Sequence, residues 1–264
     1  MSNDAGKEFI RYQMLKGLAP KTAEQNLRTV AIFQRWCEVN HVAFTQDSAL
    51  EYMQTERERV SAATMRARMY AIKTFFSFLG EDVKKLDNYR LPPLPQPQPH
   101  PLPTGMIGVR KMIANATGAS RHLIALQGLA GLRVAEARDL TRDDIDEIRK
   151  QIVVKGKGEK LRRIPISAEL WEIMDEMPKS GKLVPLSYSG ARAAVTRVAK
   201  ATGIEGAGGG GVSSHDLRAT FATAVYGKTK DIMLVSRLLG HASVKTTQVY
   251  LGIGTEAMAE AVEL

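Results

Sequence analysis

The first ninety or so residues place apolar side chains three and four positions apart, the period of an α-helix that buries one face. Pro20 and Thr22 open a segment in which Leu27, Val30, Phe33 and Cys37 recur at that spacing. Ser48 and Glu51 form a capping-box pattern ahead of Tyr52 and Met53, which predicts a helix start there. Ser61 predicts another start, for a segment that carries Met65, Met69, Ile72, Phe76 and Leu79 and is stopped by Gly80. With a first helix over about Lys7 to Lys16, the pattern predicts a four-helix unit whose Met and Phe stripes are its core. Lys21, Arg28, Arg66, Arg68 and Lys73 fall on the other face, which by itself describes a solvated charged surface.

From Leu91 to Pro103 proline occupies nearly every second position, which removes backbone donors and blocks helix. Such a stretch is an extended, semi-rigid spacer, and at about 3.1 Å per residue it spans roughly 40 Å. The chain therefore divides into a helical domain over 1–90, a linker over 91–103 and a second domain over 104–264.

The second domain is mostly helical with one β insertion. Helices are expected near Met106 to Ala116 and from Ser120 onward. Ile152-Val153-Val154 and Arg162-Arg163-Ile164-Pro165-Ile166 have the composition of two strands, joined by the turn Gly156-Lys157-Gly158. Three helices follow, after Ser167, after Ser189 and from His215. The run Gly206 to Gly211 lacks the Lys-Ser/Thr continuation of a P-loop and is expected to be a flexible loop.

Charge narrows the possible partners. The 37 basic and 28 acidic residues leave a formal charge of +9, and neutralising phosphates would release condensed counterions. A merely basic soluble protein fits that number equally well. The lone Cys37 forms no internal disulfide, and no signal peptide or membrane-length apolar run is visible. A cytoplasmic protein without a membrane partner is the expectation.

Four segments of the second domain concentrate reactive side chains. Gly131-Leu132-Arg133 sets an arginine at the end of an apolar run, where it needs either a carboxylate, which Glu136 can supply, or an anionic ligand. Lys155, Lys157 and Lys160 crowd the predicted hairpin turn. His215 and Arg218 are three apart on a helix and so project from one face, pairing a proton-transfer group with a fixed cation. Leu238-Leu239-Gly240-His241 precedes Thr246-Thr247-Gln248-Val249-Tyr250, with Tyr250 nine residues past His241. His215 and His241 have no cysteine or second carboxylate at ligand spacing, so neither a metal nor another cofactor is expected.

Together these segments resemble the tyrosine recombinases, the group of phage integrases and bacterial Xer-type enzymes. The likeness lies in the order of a Gly-Leu-Arg, a hairpin lysine, a His-x-x-Arg, a Leu-Gly-His and the tyrosine nine residues on. It implies a mainly α fold with a small antiparallel β-sheet: a helical, SAM-like core-binding domain followed by a mixed α/β catalytic domain. It implies Tyr250 as nucleophile, Arg133 and Arg218 as a phosphate clamp, and Lys157 as the general acid. His215 would serve proton transfer to or from the phenol, His241 a hydrogen bond to the phosphate, and Glu136 the orientation of Arg133. Double-stranded DNA core sites would be the substrate, bound by a homotetramer on DNA that is monomeric in solution. Lys21, Thr64, Arg66 and Arg68 are the candidate DNA contacts of the first domain.

The resemblance is to a minimal integrase or Xer-type enzyme without an arm-site module, and the tail after Tyr250 would dock in cis or on a neighbouring protomer. Integration or excision of a phage or mobile element is the leading role, with dimer resolution of the Xer type as its alternative. A catalytically silent DNA-binding regulator and a type IB topoisomerase are the rivals from other classes.

Overall fold

The computed structural model describes residues 3–94, 100–156 and 161–241. The chain forms two compact units, Met1–Gln96 and Pro97–Leu264, with the division inside the proline-rich stretch. Lys157, Gly158, Lys160, Tyr250 and the tail residues Met258, Ala261, Val262 and Leu264 lie outside the described residues. Among the described residues no helix is long and apolar enough to cross a membrane.

The first unit holds α1 (Asn3–Leu15), α2 (Pro20–Val39), α3 (Gln46–Glu56), α4 (Ala62–Phe78) and the single turn α5 (Lys84–Asp87). Pro20 sits in the first turn of α2, where a missing N–H does no harm. Ser61 caps α4 by accepting from Thr64 N, as its position predicts. The start of α3 differs from the expectation at Ser48. Thr45 is the cap, accepting from Ser48 N at 3.3 Å, and Ser48 lies inside the first turn with its hydroxyl on Ala43 O at 2.5 Å. Two hydroxyl residues three apart offer the same capping chemistry, and the extended backbone of Thr45 selects between them. Phe33, Tyr52, Met53, Met65, Ile72 and Phe76 make the core, and Phe9, Val30 and Phe75 a smaller cluster.

The second unit holds α6 (Gly105–Asn115), α7 (Gly118–Ala130), α8 (Val134–Asp139), β1 (Ile145–Asp146), β2 (Gln151–Lys155) and β3 (Leu161–Pro165). After them come α9 (Ala168–Asp175), α10 (Tyr188–Thr202), α11 (Ser214–Thr229) and α12 (Ile232–Leu239). The three strands form one antiparallel sheet in the order β1-β2-β3. Helix α7 is buried from His122 to Ala130 and packs against α6, α8, α9, α10 and α11. A helix enclosed on every side reads as an unbroken apolar run rather than a stripe.

Two local expectations change. Helix α10 starts before Ser189, because Ser187 takes the cap position and accepts from Gly190 N at 3.0 Å. Helix α11 is capped by Ser213, with Asp216 Oδ2 accepting from Ser213 N at 2.7 Å. In the glycine run, Gly206 N donates to Gly210 O at 2.7 Å and Gly208 and Gly209 hold φ of 72° and 75°. Helices α8 and α12 and the two-residue β1 go beyond the sequence pattern, each being too short for its period to show.

Candidate active site

Two helices end beside the motifs that carry the reactive side chains, and both end on a left-handed glycine. Gly131 caps α7 with φ 66°, and a Cβ there would lie 2.4 Å from the Phe221 ring. Gly240 caps α12 with φ 65°, and a Cβ there would lie 2.7 Å from Arg162 Cδ. Only glycine meets both demands at either position.

The carbonyl oxygens that a helix leaves without an internal partner at these ends are taken by arginines. Arg218 donates from Nη1 to Gly131 O at 2.5 Å and from Nη2 to Leu239 O at 2.7 Å. Arg162 donates from Nε to Leu238 O at 3.0 Å. The C-terminal end of a helix carries partial negative charge, so each helix end both satisfies its last carbonyls and holds a cation.

Glu136, in the first turn of α8, binds the same group from the other side. It accepts from Arg133 N at 2.8 Å and Arg133 Nη1 at 2.9 Å, and from Arg162 Nη1 and Nη2 at 2.9 and 2.8 Å. Arg218 Nη1 stands 3.6 Å from it. Burial alone would raise the Glu136 pKa, but the hydrogen bond from Arg162, then the Arg133 backbone and the positive charges, bring it to about 2. One carboxylate thus faces three guanidiniums, and the cluster keeps an excess of positive charge in a largely enclosed place.

That excess borders a cavity of about 610 Å³ lined by Arg133, His215, Arg218 and His241. Four of the six residues expected to act on substrate therefore meet in one place, carried by the turn after α7, by α11 and by the turn after α12. Arg218 exposes only 3% of its side chain and Arg133 45%, so one is fixed deeply and the other reaches outward. His241 Nε2 lies 3.2 Å from Arg218 Nη2. Arginine only donates, so that nitrogen holds its lone pair toward the guanidinium and the ring proton sits on Nδ1. Desolvation, then Arg218, Arg133 and Arg162, lower the His241 pKa to about 4 against the opposing pull of Glu136. His215 is also lowered, first by desolvation and then by Arg218, His100 and Arg133, although Asp216 opposes them. Both imidazoles are neutral near pH 7, the form that accepts a proton.

The cavity also uses residues that the sequence does not single out. Tyr188 and Arg192 reach it from α10, and Ser213 and Ser214 from the start of α11. Arg192, Ser213 and Ser214 continue into an adjoining cavity of about 570 Å³ that adds Arg197 and Lys200. Arg192, Thr196 and Lys200 are spaced by four, and that helical stripe is the available signal. Arg162 belongs to no motif, and its strand composition gives no hint of a place beside the site.

The remaining expected residues fall elsewhere. Lys155 is exposed and pairs with Leu161, one register step from the Val154–Arg162 pair. Its side chain therefore leaves the sheet on the face opposite to Arg162, and it lines a separate cavity with Asp139 and Asp144. In the helical unit, Lys21 and Thr64 are exposed near the starts of α2 and α4. Arg66 is exposed and donates to Pro92 O at 3.0 Å. Arg68 is half-buried, and its Nη1 forms a close ion pair with Glu56 and donates to Tyr52 Oη at 2.8 Å.

The chain resembles known proteins along most of its length. Tyrosine recombinase XerA of Pyrococcus horikoshii is 28% identical, covering 100% of this chain and 94% of the relative. Tyrosine recombinase XerC of Corynebacterium glutamicum is 30% identical, covering 77% of this chain and 72% of the relative. In fold, the chain resembles a lambda integrase dimer bound to a COC′ core site, with a TM-score of 0.73 and 16% identity over 94% of this chain and 76% of that one. Residues 109–255, more than half the chain, match the model of the phage integrase family. The chain belongs to the phage integrase family and is a tyrosine-type site-specific recombinase.

Proposed function

We propose that this protein cuts and rejoins DNA at short specific sites through a 3′-phosphotyrosyl bond to Tyr250. The observation that carries this reading is the convergence of Arg133, His215, Arg218 and His241 on one cavity with surplus positive charge. A phosphodiester in that cavity supplies the complementary anion. Attack by the Tyr250 oxygen builds charge on the two non-bridging oxygens, where guanidinium forks bind it. The P–O5′ bond breaks, Lys157 protonates the departing O5′, and neutral His215 takes the phenol proton. The 5′-hydroxyl of the partner strand then attacks phosphorus and releases the tyrosine. The ester conserves the bond energy, so no nucleotide cofactor is consumed.

The adjoining cavity with Arg192, Arg197 and Lys200 suits the DNA backbone on its way out of the site. Exchange between two duplexes opens four strands, which fits four protomers acting on one synapse. Similarity to XerA along the whole chain, and to XerC over most of it, favours resolution of replicon dimers over integration of a mobile element as the biological role.

A nicked suicide substrate bearing the recognition site tests the reading. The wild type should accumulate a covalent adduct that Tyr250→Phe cannot form. Tight, site-specific binding with no adduct would point instead to a silent regulator, and adducts on any duplex to a topoisomerase.

A further inference from the structure

Arg162 joins Glu136 to the end of α12 without lining the cavity. Its two Nη atoms bind both oxygens of Glu136, and its Nε binds Leu238 O at the end of α12. Its stem fills the space where Gly240 lacks a Cβ, directly before His241. Its backbone pairs with Val154 in the hairpin, one residue beyond the strand end at Leu161. The side chain is 11% exposed, so water does not substitute for these contacts.

We propose that Arg162 is a positioning residue that fastens the hairpin to α8 and to the turn after α12, and thereby fixes Arg133 and His241 on the cavity. The inference rests on the strand-transfer reading above. Only a guanidinium can do this, because its planar fork meets two carboxylate oxygens and a carbonyl at once, whereas an ammonium is a point donor. Stability alone is a weak reason for a buried charge cluster, because apolar residues of similar volume usually stabilise as well. The effect of Arg162 is geometric. Glu136 holds the backbone and the guanidinium of Arg133, and Arg162 holds Glu136.

Among the described residues, the charged groups acting on His241 include Arg218 from α11, Arg133 and Glu136 around α8, and Arg162 from β3. Removing Arg162 deletes one of the arginines that disfavour the protonated ring, so the His241 pKa should rise.

The test uses the full chain as Arg162→Met and Arg162→Lys. Three readouts are needed: the rate of adduct formation at saturating protein, DNA affinity, and the His241 titration by NMR. Arg162→Met should slow adduct formation on the order of a hundredfold, as expected when reacting groups are misplaced by about 1 Å. DNA affinity should change less than about threefold, and the His241 pKa should move up. Arg162→Lys keeps the charge and loses the fork, so His241 should titrate as in the wild type while the rate still falls about tenfold. If Arg162→Met does not fold, Arg162→Lys carries the test. Either folded variant reacting within about twofold of the wild type overturns the proposal. If the wild type itself forms no adduct, the strand-transfer reading fails, and an unmoved His241 pKa in Arg162→Met overturns the positioning role separately.

Discussion

Arg218 Nη2 and His241 Nε2 lie 3.2 Å apart, a contact that exists only while the imidazole nitrogen is unprotonated. The site thus begins with two groups whose positive charges exclude each other. Arg218 keeps its charge at all relevant pH, so His241 is the one that yields, and its pKa falls to about 4.

The first prediction concerns that titration. The folded pKa lies below the ordinary 6.5, so between those values the unfolded chain binds the proton and the folded chain does not. Stability from the neutral ring is complete above about 6.5 and is lost as pH falls toward 4. NMR titration should give a His241 midpoint near 4, and denaturation midpoints should drop across the same window. A midpoint near 6.5 contradicts the geometry.

Glu136 gives a second acid-side transition. Its pKa of about 2 lies below the ordinary 4.5, so its contribution is full above 4.5 and disappears as pH falls toward 2. Glu136→Gln removes the carboxylate from three guanidiniums and should destabilise the fold by about 3 kcal/mol, as expected when one partner of a buried ion pair is lost. Urea denaturation measures it; a change below about 1 kcal/mol would show that the arginines do not depend on this carboxylate.

Gly131→Ala places a methyl 2.4 Å from the Phe221 ring on a backbone at φ 66°. Overpacking and left-handed strain together should destabilise the fold by about 3 kcal/mol in urea denaturation. Because Gly131 O holds Arg218, adduct formation should fall more steeply than folded protein does.

Arg192→Ala should weaken DNA binding without abolishing adduct formation at saturating protein. If Arg192 neutralises one phosphate, the slope of log affinity against log salt should decrease by about 1. An unchanged slope would remove the adjoining cavity from the DNA path.

Much of this architecture is legible in the sequence, and the exceptions have physical reasons. The long helices of the first unit show their buried stripes, and Arg133, His215, Arg218 and His241 announce themselves through short motifs. Arg162 does not, because in a strand an arginine bound to a carboxylate reads the same as one facing water. The Arg68–Glu56 ion pair is hidden for the same reason, since the two residues sit on different helices and the charged face of α4 does not announce a partner on α3. Partners far apart in sequence leave no local periodicity. Helix α12 escapes the pattern since eight residues make little more than two turns.

The most direct measurement traps the adduct on a suicide substrate, digests the protein and locates the DNA-linked peptide by mass spectrometry. The linkage is predicted on the peptide containing Tyr250, and absent when Arg218 is replaced by alanine. A linkage on any other side chain, or a protein that binds its site tightly and never becomes linked, would contradict the convergence of these groups on a single phosphate.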